Sequence, residues 1–224
     1  MKVKVNAKHV VFTAITLATL YVLYNNERFV VQPDHPAWQR YESFKWWLLP
    51  HALFGSIVLL FAPFQFSDWL RARFPKAHRI MGRLYVLGVY VLAPTGAYIQ
   101  YFQERGGAPR SFTILAIVDA ALLIGTTTLA GYFAYKRRLA VHRQWATRSY
   151  AVALVFIGGR FFIGITGAGA MGIEMVQAVI WACLVAAVPL ADFALNWKDL
   201  RSSVAKSTKQ VVAAKPSVEL PRAA

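Results

Sequence analysis

The sequence predicts an all-α integral membrane protein, a bundle of about six transmembrane helices with both termini on the cytoplasmic side. Three observations lead there. The chain has 224 residues and is 57% hydrophobic, yet carries 25 Lys and Arg against 10 Asp and Glu, a formal net charge of +15. A soluble core of this size does not readily hide so much apolar surface beneath such one-signed charge, whereas a bilayer separates the two demands. Charge-poor runs recur six times, and the cations crowd into alternate connections between them.

The runs are 10–24, 46–66, 84–102, 112–135, 149–167 and 175–191. A spanning helix needs about 20 mostly apolar residues, which the four middle runs supply, while the first and last are shorter. Lys2, Lys4 and Lys8 precede the first run, and Tyr24, Asn25, Asn26 and Glu27 after it offer no small-residue cleavage site. The first run is therefore expected to stay as a signal anchor. Spans two to five are expected to form a four-helix core with spans one and six at its periphery. Gly164, Gly167, Gly169 and Gly172 lie between the last two runs and suit a tight helical hairpin.

Orientation follows from the cations, because cytoplasmic loops retain Lys and Arg. The N-terminal segment, the second and fourth connections and the C-terminal segment hold 3, 5, 5 and 6 of them; the opposite loops hold 5, and Arg160 lies within a span. Residues 1–198 thus form one transmembrane domain. Residues 199–224, rich in Ala, Ser, Val and Lys, are expected to be a disordered basic cytoplasmic tail.

Several function classes find no footing. The lone Cys183 offers no thiol pair for a disulfide, metal or covalent haem attachment. No nucleophile motif, phosphate loop or zinc-protease helix occurs, and no basic face interleaved with stacking aromatics points to nucleic acid. The bilayer is the expected partner.

Two constellations carry candidate chemistry. His78-Arg79, then Arg83 and Tyr85, is echoed by His142-Arg143, then Arg148 and Tyr150, each following a basic connection and opening a span. Spans two and three thus look like a parallel repeat of spans four and five, an arrangement that places a site at the repeat interface. Two opposed imidazoles at one depth suit the iron of a single haem b. Arg79, Arg83, Arg143 and Arg148 suit its propionates. Such a protein would exchange electrons with a quinone or a partner protein. The same residues also suit simple anchoring of helix ends in lipid headgroups, or an anion or quinone headgroup site. The second constellation is His51, Asp119 and Arg160. Asp119 and Arg160 each fall about 10 Å below the outer surface at 1.5 Å per residue, so they are expected to pair. A brace of this kind also fits a non-enzymatic transporter, channel-like or membrane-assembly protein.

The pattern His78-Arg79-x-x-Gly82-Arg83-x-Tyr85, with His142-Arg143-x-Trp145-x-x-Arg148-Ser149-Tyr150-Ala151 and Arg160, resembles a bacterial family of predicted multi-span membrane proteins known only as a domain of unknown function, family 2306. The resemblance covers roughly residues 51–160 and implies a bacterial inner-membrane location but no activity. A looser likeness is to six-helix di-haem b-type transmembrane cytochromes, which carry histidines on four consecutive central helices. Span four has no histidine, so at most the pair His78 and His142 carries over.

Overall fold

The computed structural model describes residues 7–213, with side chains for 10–39 and 41–197. It is 90% helical, and no strand occurs among the described residues. Helix α1 (Ala7–Val22) continues directly into a π-turn, Leu23–Glu27. The short α2 (Ala37–Tyr41) leads to α3 (Lys45–Gln65). Next come α4 (Asp68–Arg73), α5 (Pro75–Arg105) and α6 (Arg110–Tyr135). The last three are α7 (Leu139–Ala153), α8 (Val155–Thr166) and α9 (Ile173–Ala213).

Local sequence explains most of the boundaries. Ser67 caps α4 by accepting a hydrogen bond from Leu70 N at 3.2 Å. Pro75 opens α5, where its missing N–H leaves no carbonyl unpaired. Gly167, at φ 69°, ends α8, and Gly172, at φ 97°, precedes α9. A single 3-10 turn, Ala168–Met171, joins them, which is the tight connection the glycines suggest.

Helices α3, α5, α6 and α9 are long and apolar enough to span a bilayer, and α7 with α8 makes one further span bent by 42°. The bend falls at Leu154, whose N–H is shared between the carbonyls of Tyr150 and Ala151 at 3.1 and 3.3 Å. The fifth span is thus broken, not continuous. Among the described residues the 16 of α1 fall short of a span and gain length through the π-turn.

Three expectations need adjustment. Span three starts nine residues earlier than its apolar run, so His78, Arg79 and Arg83 lie on α5 itself. Helix α9 is not peripheral: Ile180, Leu184 and Ala187 join Val58, Val89, Leu115, Leu123 and Val152 in the core. Gly159 makes room for it, since a Cβ there would meet Ile180 Cγ1 at 2.9 Å. Finally, α9 continues past Lys198 to Ala213, into the stretch expected to be tail. No Pro or Gly interrupts 190–213, and its Ala, Leu, Lys and Arg are good helix formers. The remainder of that expected tail, 214–224, lies outside the described residues.

The exterior is apolar. Leu17, Leu53, Ile117, Leu122, Val185 and Phe193 are all exposed, and a surface of this extent is stable only against lipid.

Candidate functional site

Helices α5, α6 and α7 are joined by three hydroxyls. Tyr85 and Ser149 are 2.8 Å apart, and Ser149 and Thr127 2.7 Å. Ser149 and Thr127 are completely buried, so these bonds stand in place of solvent. They also fix which faces of α5 and α7 meet. Seven residues is almost two whole turns, so His78 lies on the Tyr85 face of α5 and His142 on the Ser149 face of α7, about 10 Å toward the basic end.

The two histidines lie at the same end of the bundle. His78 lies within electrostatic range of both His142 and Arg71. His142 donates Nδ1–H to the Ala130 carbonyl of α6 at 2.8 Å, and its Nε2 takes no part in that bond. The Nδ1 of His78 is buried and has no hydrogen-bond partner. Among the described residues no group of three or more His, Cys, Asp or Glu gathers, so the chain's own donors at this end are the two imidazoles.

The arginines divide. Arg79, Arg83 and Arg143 are exposed and available to anionic groups. Arg148 is not: its Nε donates to Asp192 Oδ1 at 2.7 Å, tying α7 to α9, and its guanidinium lies 4.7 Å from the Trp145 ring centroid. A role for Arg148 toward a propionate is therefore corrected, because Asp192 already neutralises it.

The outer constellation does not assemble. Arg160 pairs with Glu27 of the π-turn, holding α8 against the end of α1. Asp119 faces the core of α6, 8% exposed, and its Oδ1 has no partner. Equal depth placed the two charges at one level, but they sit on different sides of their helices. His51 of α3 is held separately against α5, donating Nδ1–H to the Leu92 carbonyl at 2.9 Å. Its ring fills the space above Gly96, where a Cβ would come within 2.8 Å of Cε1. These are three sites, not one pocket.

Comparison with known proteins adds one decisive match. The family model for predicted membrane protein DUF2306 covers residues 48–195, two-thirds of the chain. The chain belongs to this family. No curated protein and no solved structure matches it. This DUF2306 member is thus a multi-span membrane protein in contact with the bilayer.

Sequence reasoning missed several partners. Thr127 and Ser149 looked like ordinary polar residues in apolar helices, although the seven-residue offset of Ser149 from His142, matching that of Tyr85 from His78, was available as a signal. Glu27 was read as part of the outer loop, because a π-turn leaves no periodic trace in five residues. Gln65 was missed altogether; its Nε2 is another of the buried polar atoms without a partner.

Proposed function

We propose that this DUF2306 protein is an electron carrier of the bacterial inner membrane that holds one b-type haem between His78 and His142. One observation carries the reading: two imidazoles from a repeated motif lie within electrostatic range of each other at the basic end of the seam that Tyr85 and Ser149 bridge, His78 with its Nδ1 unpartnered and His142 with its Nδ1 bonded to a carbonyl. Metal-bound histidines characteristically donate the other ring N–H to a carbonyl, as His142 does to Ala130. Arg79, Arg83 and Arg143 would neutralise the propionates at the headgroup level. When bound, the haem supplies one-electron transfer. The chain's own residues fix the ring orientation, keep water from the seam through the Tyr85–Ser149–Thr127 layer and supply cationic charge. A quinone or a redox protein would be the partner. A second haem finds no histidine on α6 to face His51.

The test is a reduced-minus-oxidised spectrum of protein purified in mild detergent after expression with ample haem. A haem band is expected that His78→Ala and His142→Ala each abolish and Arg148→Gln leaves. A colourless protein would end the reading.

A second reading, a non-enzymatic transporter, channel-like or membrane-assembly protein, draws on the Arg160–Glu27 contact, which braces α8 at a break in the fifth span. In that reading motion of α8 at Leu154, not electron transfer, is the function. Transport or assembly unaffected by loss of both histidines would favour it.

A further inference from the structure

Asp119 is the tenth of the 26 residues of α6, so its carboxyl lies well inside the span. The residue is 8% exposed, and its Oδ1 is sealed from solvent with no hydrogen-bond partner. Phe112, Asp119 and Thr126 stand seven residues apart, almost two whole turns, and so form one stripe of α6. At the outer end of that stripe the Phe112 ring meets Phe156 of α8, with 6.5 Å between centroids. At its inner end Thr127, next to Thr126, meets Ser149 of α7. Asp119 thus stands between a contact to α8 and a contact to α7, on the face of α6 that the broken fifth span covers.

No cation reaches it there. Helices α5, α7 and α9 pack against α6, with α8 beyond the break. In the outer half their charged and titratable groups are engaged or turned away. Arg160 pairs with Glu27, and Glu104 lies 3.9 Å from Arg110. Arg105 and Glu174 are exposed at helix ends, as are the rings of Tyr98 and Tyr101 along α5. The Cys183 thiol lies against Gly158. The histidines and remaining arginines of α5 and α7 stand at the basic end, and Asp192 of α9 is bonded to Arg148. An ionised carboxylate held away from water with neither cation nor donors is costly, and a proton is the smallest ligand that relieves it.

We propose that Asp119 is a proton-binding site, its carboxyl carrying a hydrogen in the folded bundle. The site needs no haem and neither histidine, so it stands apart from the electron-carrier reading. One turn inward, Leu123 is wholly buried and separates the carboxyl from the hydroxyls of Thr127 and Ser149. No hydroxyl chain therefore links the site to the basic end, and its proton exchanges with the outer side.

A carboxylic acid inside a bilayer reacts with an apolar carbodiimide, whereas an ionised one in water does so poorly. The acid's proton passes to one carbodiimide nitrogen, and its oxygen bonds to the central carbon as one C=N bond becomes single. Migration of the acyl group to the other nitrogen then leaves a stable N-acylurea, so the product carries the whole mass of the reagent. The test treats the purified full chain in mild detergent with dicyclohexylcarbodiimide at neutral pH and maps the adduct by proteolysis and mass spectrometry. The label is expected on the Asp119 peptide and should be absent from Asp119→Asn. Reversible unfolding in mixed dodecyl sulfate micelles decides the matter even if the reagent fails to reach the carboxyl. The native carboxyl keeps a proton that the unfolded one has lost near neutral pH. The unfolding equilibrium constant of the parent should therefore gain about tenfold per pH unit over that of Asp119→Asn. Equal pH dependence in the two proteins would overturn the site, labelled or not. So would protection of Asp119 from the reagent by sodium chloride but not by choline chloride, which would assign the carboxylate to a metal cation.

Discussion

Replacing Ser149 by alanine removes the one oxygen that joins α5, α6 and α7. Its hydroxyl lies 2.8 Å from that of Tyr85 and 2.7 Å from that of Thr127, and the residue is wholly buried. Interhelical hydrogen bonds in membrane proteins average about 0.6 kcal/mol and reach about 1.7 kcal/mol, so losing two sets a range of about 1–3 kcal/mol. Thr127 also lies within hydrogen-bonding reach of Tyr85. The stranded hydroxyls can partly re-pair, which moves the expected loss to about 1–2 kcal/mol. Reversible unfolding in mixed dodecyl sulfate micelles measures it. The informative comparison is the triple variant Tyr85→Phe, Thr127→Val, Ser149→Ala, which replaces every member by an apolar group of similar shape. Because no polar group is then left stranded, it should lie within about 1 kcal/mol of the parent and above Ser149→Ala alone. A neutral single variant, or a triple variant worse than the single, would refute the claim that these hydroxyls act as one network.

Other consequences are equally direct. Gly88→Val should cost about 1–3 kcal/mol, because even a Cβ there would meet Val58 Cγ2 at 2.8 Å, whereas Gly55→Ala, with nothing within 4 Å, should be tolerated; the same unfolding titration compares them. In the pair Glu27→Gln and Arg160→Gln, each single change should destabilise more than the double, since one uncompensated charge is worse than none; additive losses would deny the pairing. Arg148→Gln or Asp192→Asn should make the α7–α9 contact more accessible to hydrogen exchange while leaving any haem content unchanged.

Much of the architecture was legible because it follows from solvent preference. The long apolar runs of α3, α5 and α6 mark helices wherever they pack. What the runs did not reveal was rotation about each helix axis. Counting residues puts Asp119 and Arg160 at one depth, yet Asp119 turns toward the core and Arg160 toward the π-turn after α1. Depth is read from the count of residues, but facing is set by which neighbour arrives, and the arrival of α9 in the core was hidden by its marginal length of apolar sequence. His78 and His142 fared better because each stands seven residues before a bridging hydroxyl, Tyr85 and Ser149, which turns both positions toward one seam. The break at Leu154 left no Pro or Gly at the break itself to announce it.

The convergence of those two histidines is what the electron-carrier reading depends on, and cross-linking tests it most directly. With Cys183 replaced by serine, the double variant His78→Cys, His142→Cys should be bridged within the membrane by a short bismaleimide, seen as a protease-resistant link between the two halves of the chain. Bridging there, with none when position 78 is paired with Cys in place of Asp119, agrees with one site at the basic end. Failure to bridge 78 to 142 in folded protein would contradict it.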